Sequence, residues 1–267
     1  MNKLLIQGIL IVALFFTVWY CLAKINWVNI LKVERITNET QKKLGDIIWE
    51  SYTKTEKLNK NTFVDTLINS LVNKICVSNS IDPQSIKVHI IIKEEVNAFA
   101  LPNNHLILYT GLIAAAQNEE ALCGVISHEL AHIALNHVMK KLLKQLGISV
   151  ISSISKGNGG AEIINQTVKI LSSTAFDRSL EKEADIKAVD YLQNTLINPL
   201  PFADFLFNLS KTNNYSSQGV GNWVSTHPNP IERSTYIVAY SKNKQVQYET
   251  IFNNQTWQQL QKGVKEE

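Results

Sequence analysis

The feature that most constrains this chain is a pair of histidines one helical turn apart. His128 and His132 lie in a His-Glu-Leu-Ala-His segment, inside a largely apolar stretch that predicts one helix over residues 119–145. At about 100° per residue, the two imidazoles lie about 40° apart on one face of that helix, so both can reach the same ion. Polar side chains on such an apolar helix need buried partners, and a metal ion would supply them.

The spacing is that of a zinc site in which the intervening glutamate carries out chemistry. Glu129 is offset by one residue from His128, close enough to hold a metal-bound water without being a ligand. Zinc also needs a third protein ligand and an open position for catalysis. The extended metzincin form of the motif is absent, because Leu135 and Val138 occupy the positions of its glycine and third histidine. The third ligand must therefore lie elsewhere in the chain.

Acidic candidates for that ligand lie in residues 178–185. Glu181 and Asp185 share one face of a predicted helix, so one carboxylate can bind the metal while the other orients a ligating histidine. From spacing alone, a solvated and salt-bridged surface helix explains this charge run equally well. A further histidine, His137, lies about 140° round the helix from His132 and is expected to be structural or to contact a ligating histidine.

Four segments, taken together, make the sequence similar to a known family. They are Asn-Ala-Phe-Ala-Leu-Pro (97–102), His-Glu-Leu-Ala-His (128–132), Arg-x-x-Glu-x-Glu-Ala-Asp (178–185) and Thr-His-Pro-x-x-x-x-Arg (226–233). In this order they resemble the HtpX-like and CAAX-prenyl-protease-like family of zinc metalloendopeptidases (gluzincins). The resemblance is strongest to its membrane-associated, BepA-like and LoiP-like bacterial branch, and it covers most of residues 61–241.

The resemblance implies one Zn²⁺ per chain and a role for each matching side chain. Glu181 is the third ligand beside the two histidines, and Asp185 is the acid near the imidazoles that orients a ligand. His227 faces the metal site with Arg233 nearby, and either His227 or Arg233 would stabilise the developing oxyanion. Glu129 is the general base that activates the zinc-bound water.

The reaction implied is the hydrolysis of peptide bonds in unfolded or misassembled envelope proteins. A non-catalytic chaperone or assembly factor that retains the zinc-binding fold is the alternative, and the presence of Glu129 argues against it. Helical rotation turns Glu183 about 200° away from Glu181, so Glu183 is expected to have little effect on metal content unless it pairs with another group.

Residues 86–92, 97–101 and 105–110 predict three short strands, and nearly everything beyond Gly111 predicts helices. We therefore expect an α+β fold, a mostly helical, minigluzincin-like zincin domain with a small β-sheet beside the active-site helix. The second strand is expected to offer an open edge on which an extended polypeptide substrate pairs as an added strand. The residues of that substrate edge are Asn97, Ala98, Phe99 and Ala100.

The N-terminal stretch, residues 4–23, contains no charged side chain. Its length matches the roughly 30 Å hydrocarbon thickness of a bilayer, so it predicts one uncleaved transmembrane helix. A cleaved signal peptide is the alternative. The predicted organisation is an anchor (or signal peptide) at 1–24, a tether and first helix at 25–60, and a zinc metallopeptidase domain at 61–267. The resemblance implies that this domain lies in the periplasm or another extracytoplasmic space. A cytoplasmic orientation is the alternative, because the charges on either side of residues 4–23 do not fix the topology.

Composition excludes two further classes of protein. The chain of 267 residues carries 26 Lys and Arg against 23 Asp and Glu, a net charge of +3, which is too balanced for a nucleic-acid-binding protein. Its three cysteines are too few for a disulfide scaffold, although a bridge between Cys76 and Cys123 stays open.

Overall fold

The computed structural model describes residues 3–24, 38–211, 221–242 and 247–265. The chain divides into an N-terminal unit, Met1–Asn38, and a second unit, Glu39–Glu267. The predicted tether falls mainly on residues 25–37, which lie outside the described residues. The predicted boundary between tether and metallopeptidase domain stays a prediction.

In the N-terminal unit, the described residues form a helix, α1, over Lys3–Lys24. The large apolar side chains between Leu10 and Tyr20 are about half exposed or more. Within the described ranges, the chain has no helix that combines the length and apolar character required to cross a bilayer. The predicted transmembrane helix is therefore not confirmed.

The second unit is mostly helical with a small sheet, which confirms the expected α+β class. Its described elements are, in chain order, α2 (Asn38–Thr53), α3 (Thr62–Ser78), β1 (Lys87–Ile91), β2 (Ala98–Leu101), β3 (His105–Tyr109), α4 (Thr110–Ala115), α5 (Glu119–Ala134), α6 (His137–Ser155), α7 (Ala161–Ser173), α8 (Arg178–Asn194), α9 (Leu200–Lys211), α10 (Gly221–Thr226), α11 (Pro230–Ser241) and α12 (Asn254–Gly263).

The three predicted strands form one sheet in the order β1-β3-β2. Strand β1 runs parallel to β3, and β2 runs antiparallel to β3 with Leu101 opposite His105. Asn103 and Asn104 make the hairpin turn with φ angles of 63° and 57°. Asparagine tolerates this left-handed conformation better than most residues, so the Asn-Asn pair fixes the turn and hence the register.

The single helix predicted over residues 119–145 is wrong, because the chain forms two helices there. Helix α5 ends at Ala134, and Asn136 takes a left-handed conformation (φ 55°) before α6 begins at His137. The first helix starts where Asn118 accepts a hydrogen bond from the backbone N–H of Ala121 (2.9 Å). The break redirects the chain directly after the two histidines, so His137 no longer continues their helix.

Helix α5 lies at the centre of the domain, packed against β2, α8 and α9. Its residues from Ala121 to His132 are all buried, so its polar side chains face other elements and not solvent. Close packing depends on Gly124, where an added Cβ would lie 2.3 Å from the Cβ of Phe202 on α9. Cys76 and Cys123 are buried free thiols, so the bridge left open by the sequence is not formed.

Substituting Gly124→Ala should destabilise the fold, because the methyl group overlaps the Phe202 side chain. Overpacking of this kind costs about 1–3 kcal/mol, more than the gain in helix propensity. The control is Gly160→Ala, where an added Cβ meets no atom within 4 Å. Denaturant unfolding should show a lower midpoint for the first variant alone. Equal midpoints would contradict the close approach of α5 and α9.

Candidate metal centre

Four buried side chains bring ligand atoms to one point. Each of four residues offers one potential ligand atom, and these atoms lie within 4.8 Å of one another. The residues are His128, His132, Glu181 and His227. The Nε2 atoms of His128 and His132 are 2.9 Å apart. The Glu181 carboxylate lies 3.4 Å from His132 Nε2 and 3.7 Å from His128 Nε2. The three predicted ligands thus converge, and His227 joins them through its Nδ1, which is 2.9 Å from Glu181 Oε1.

Three parts of the fold supply this cluster. His128 and His132 lie one turn apart on α5, Glu181 lies in the first turn of α8, and His227 directly follows α10. Because α5 and α8 pack along each other, the histidine face of one meets the acidic face of the other. Spacing alone left a solvated surface helix open for residues 178–185, and the burial of Glu181 excludes it.

Two aromatic rings hold the imidazoles in place. Phe176 stacks on His132 with ring centroids 4.1 Å apart, and Trp223 stacks on His227 at 4.7 Å. Lys141, itself buried, places its Nζ over the Phe176 ring, 4.0 Å from the ring centroid. Phe176, Trp223 and Lys141 were not predicted from the sequence. Trp223 precedes His227 by one helical turn, and that spacing was the available signal for its contact.

Asp185 and Arg233 form a buried ion pair behind the ligands. Arg233 donates from Nε and Nη2 to the two oxygens of Asp185, each at 2.8 Å. Asp185 also accepts a 2.8 Å contact from His128 Nδ1, and Arg233 Nη1 lies 3.0 Å from Glu181. Burial opposes ionisation of Asp185, but Arg233 and His128 outweigh it and lower its pKa. The pair therefore orients a histidine and a carboxylate of the cluster at once.

Glu129 differs from the other acids because neither of its carboxylate oxygens has a hydrogen-bond partner in the described part of the chain. Its Oε1 lies 3.4 Å from His227 Nε2. Burial raises the pKa of Glu129 well above its ordinary value, and the neighbouring Glu181 raises it further. A buried carboxylate that makes no hydrogen bond is costly, and both oxygens of Glu129 are available to a polar group.

The protonation states suit a metal ion. Burial lowers the pKa of His132 to about 3 and that of His227 to about 4, so both imidazoles are neutral near pH 7. Burial opposes ionisation of Glu181, but His227 and Arg233 bring its pKa well below the ordinary range. Metal binding requires neutral histidines and an ionised carboxylate. Two or three imidazoles and one carboxylate are also a donor set that Zn²⁺ prefers, so the residues fit the ion.

The expected substrate edge, Asn97 to Ala100, lies beside this centre, since β2 packs against α5. Strand β2 is at the edge of the sheet, as predicted, but its side chains are buried. Helix α7 packs against it, and the Asn97 side-chain amide donates to the Ser172 carbonyl at 3.1 Å. Whether a peptide pairs with this strand stays a prediction.

Comparison with known proteins identifies the family. The model of peptidase family M48 matches residues 60–240, which is more than half of the chain. The chain belongs to peptidase family M48. This confirms the family resemblance drawn from the four motifs, and zinc is the metal on which M48 metalloproteases depend.

Individual relatives are distant, and the matched region covers only part of each. The chain is 28% identical to metalloprotease LoiP of Escherichia coli over 168 residues, which is 60% of this chain and 65% of LoiP. It is 25% identical to the beta-barrel assembly-enhancing protease of Escherichia coli over 185 residues, 63% of this chain and 38% of that protein. It is also 25% identical to mitochondrial metalloendopeptidase OMA1 of Arabidopsis thaliana over 142 residues, 53% of this chain and 29% of that protein. The chain thus spans less than two thirds of each relative.

The M48 site predicts different consequences for the two buried acids on α8, Glu181 and Asp185. Glu181→Ala should abolish stoichiometric zinc binding, because the two histidines lose the carboxylate between them. Asp185→Ala should weaken zinc binding by about 10–100-fold without abolishing it. It should also lower stability by about 3–5 kcal/mol, because Arg233 is left buried without its partner.

Zinc content by inductively coupled plasma spectrometry and denaturant unfolding would measure both effects. Asp204→Ala, at an exposed position on α9, is the control and should match the unmodified chain. Full zinc in Glu181→Ala together with none in Asp185→Ala would reverse the assignment of the two acids.

Proposed function

We propose that this chain is a zinc-dependent endopeptidase in which His128, His132 and Glu181 hold the metal and Glu129 is the general base. The observation that carries the proposal is the buried, unpartnered Glu129 carboxylate beside four converging ligand atoms. Zinc bound there would acidify a water molecule and polarise the scissile carbonyl. Membership of family M48 and the protease names of the relatives support this reaction.

Glu129 would move the proton that hydrolysis requires. Its carboxylate accepts a proton from the attacking water as the water oxygen bonds to the carbonyl carbon. It then gives that proton to the leaving nitrogen as the C–N bond breaks. Its raised pKa suits both steps, since burial and Glu181 make the carboxylate more basic than an exposed one.

His227 and Arg233 would take separate parts in this reaction. His227 Nε2 has no hydrogen-bond partner among the described residues and faces the Glu129 side of the site, so we assign it to the developing oxyanion. The Arg233 guanidinium forms ion pairs with Asp185 and Glu181. It also donates a hydrogen bond to the His227 carbonyl oxygen at 3.2 Å. We therefore assign Arg233 to holding these groups and not to the substrate.

The substrate class proposed is unfolded or misassembled protein of the cell envelope. An active site whose side chains are all buried admits an extended chain more readily than a folded surface. Such a chain would pair with β2, and α7 would have to give way to expose that edge. One relative is named a beta-barrel assembly-enhancing protease, which is consistent with an envelope substrate.

Replacing Glu129→Gln should lower proteolysis of an unfolded casein by about two to four orders of magnitude, because the amide cannot accept the proton. Zinc content and unfolding midpoint should stay unchanged, since Glu129 is not a ligand. The control is Glu120→Gln, in the first turn of the same helix, which should keep full activity. Unchanged turnover in Glu129→Gln would remove Glu129 as the general base. No casein cleavage by the zinc-loaded unmodified chain would instead favour a chaperone that retains the fold.

We also propose that α1 attaches the chain to a membrane, with the second unit in the periplasm or another extracytoplasmic space. The exposed apolar side chains between Leu10 and Tyr20 support this attachment, since such a surface is costly in water.

The membrane proposal predicts that the full chain stays in the membrane pellet after a carbonate wash and that its N-terminal residue is Met1 or Asn2. A chain without residues 2–24 should appear in the supernatant. Recovery of the full chain in the supernatant would contradict attachment through α1. If the pelleted chain began at Lys24, the N-terminal segment would have been removed as a signal peptide, so we do not expect that N-terminus.

A further inference from the structure

We propose that Glu183 and His137 form a hydrogen-bonded relay that orients His132 and fixes its tautomer, which makes Glu183 a positioning residue of the metal centre. The inference rests on the proposed zinc site. It assigns a task to two side chains that neither bind the metal nor touch the substrate.

The relay follows from the break between α5 and α6. The left-handed conformation of Asn136 turns the chain so that His137, the first residue of α6, comes back beside His132. The Nδ1 atoms of the two rings are 3.0 Å apart. On its other side, His137 Nε2 is 3.1 Å from Glu183 Oε2. His137 is fully buried, whereas the Glu183 side chain is 51% exposed, so the relay runs from the metal centre towards solvent.

The order of donors and acceptors determines where each proton lies. An ionised carboxylate only accepts hydrogen bonds, so His137 must donate from Nε2 to Glu183. The Nδ1 atom of a neutral His137 is then an acceptor, and His132 must donate to it from its own Nδ1. This leaves the lone pair of His132 Nε2 free, and that is the atom directed at His128 and the metal position.

The two ligating histidines are thereby oriented in matching ways. Asp185 contacts His128 Nδ1 directly, at 2.8 Å, and directs the Nε2 of that ring to the same point. Glu183 reaches His132 only through His137. A carboxylate that fixes a ligating histidine in this way strengthens metal binding.

Helix α8 therefore contributes three acidic side chains to the metal centre and its surroundings, and they lie on two faces of the helix. Glu181 and Asp185 share the face that meets α5, and Glu183 lies about 200° from Glu181 round the helix. This rotation prevents Glu183 from being a ligand, as the sequence predicts. It does not prevent an effect on the metal, because His137 bridges the gap to His132. The expectation that Glu183 has little effect on metal content depended on its having no such partner.

The test compares zinc affinity in the full chain and its variants by competition with a chromophoric chelator. Glu183→Ala and Glu183→Gln should each weaken zinc binding by about tenfold, the lower end of the usual range, because Glu183 is half exposed. The control is Glu162→Gln, an exposed glutamate in the first turn of α7, which should keep the affinity of the unmodified chain. Cobalt in place of zinc should give an altered visible spectrum for the Glu183 variants alone, a signature that a change in stability would not produce.

Nitrogen-15 NMR of the zinc-loaded chain tests the proton positions directly. His137 should carry its proton on Nε2 and none on Nδ1. A proton on His137 Nδ1, or Glu183 variants with the affinity of the control, would overturn the relay while leaving the zinc site intact. A full chain that binds no zinc would overturn the relay together with the proposed function.

Discussion

The buried pair of Arg233 and Asp185 holds the centre together, because it links α11 to α8 and, through His128, to α5. Removing either charge would leave the other in an apolar interior, which costs far more than losing a surface ion pair. Arg233 also contacts Glu181 and the backbone carbonyl of His227. One guanidinium group thus fixes the relative positions of a histidine, a carboxylate and the segment after α10.

A polar cluster of this size inside a small domain is stable only if its members satisfy one another. Asp185 and Glu181 are satisfied by Arg233 and by histidines, and the aromatic rings of Phe176 and Trp223 fill the remaining faces. Glu129 differs from these two acids, since neither of its buried carboxylate oxygens has a hydrogen-bond partner in the described residues. In the proposed mechanism, the lack of a hydrogen bond to Glu129 is explained because a general base must be free to accept a proton from water.

Local spacing was enough to predict part of this centre. The i, i+4 interval places His128 and His132 on one face whatever surrounds the helix, and the predicted strands and hairpin follow from short-range patterns. The third ligand was different, because spacing treats Glu181 and Asp185 alike. Only the packing of α8 against α5 and the position of Arg233 distinguish them, and both depend on residues far apart in the sequence.

Two other features lay beyond sequence reasoning for related reasons. The helix breaks at Asn136, although the apolar pattern continues through this position as it would in one helix. The periodicity of the sequence therefore does not predict the break. Helices α5 and α7 both pack against β2, and α7 reaches the sheet only after the chain has passed through α6. Contacts of this kind are set by the tertiary fold, and local propensity carries little information about them.

The central claim is that one zinc ion binds where the side chains of α5, α8 and the segment after α10 converge. Diffraction from crystals of the zinc-loaded chain, with anomalous differences measured at the zinc absorption edge, tests it most directly. The account predicts one strong peak bounded by His128 Nε2, His132 Nε2 and the Glu181 carboxylate. A peak at another close histidine pair, such as His89 and His105 with ring nitrogens 2.9 Å apart, and none at the predicted position would contradict it.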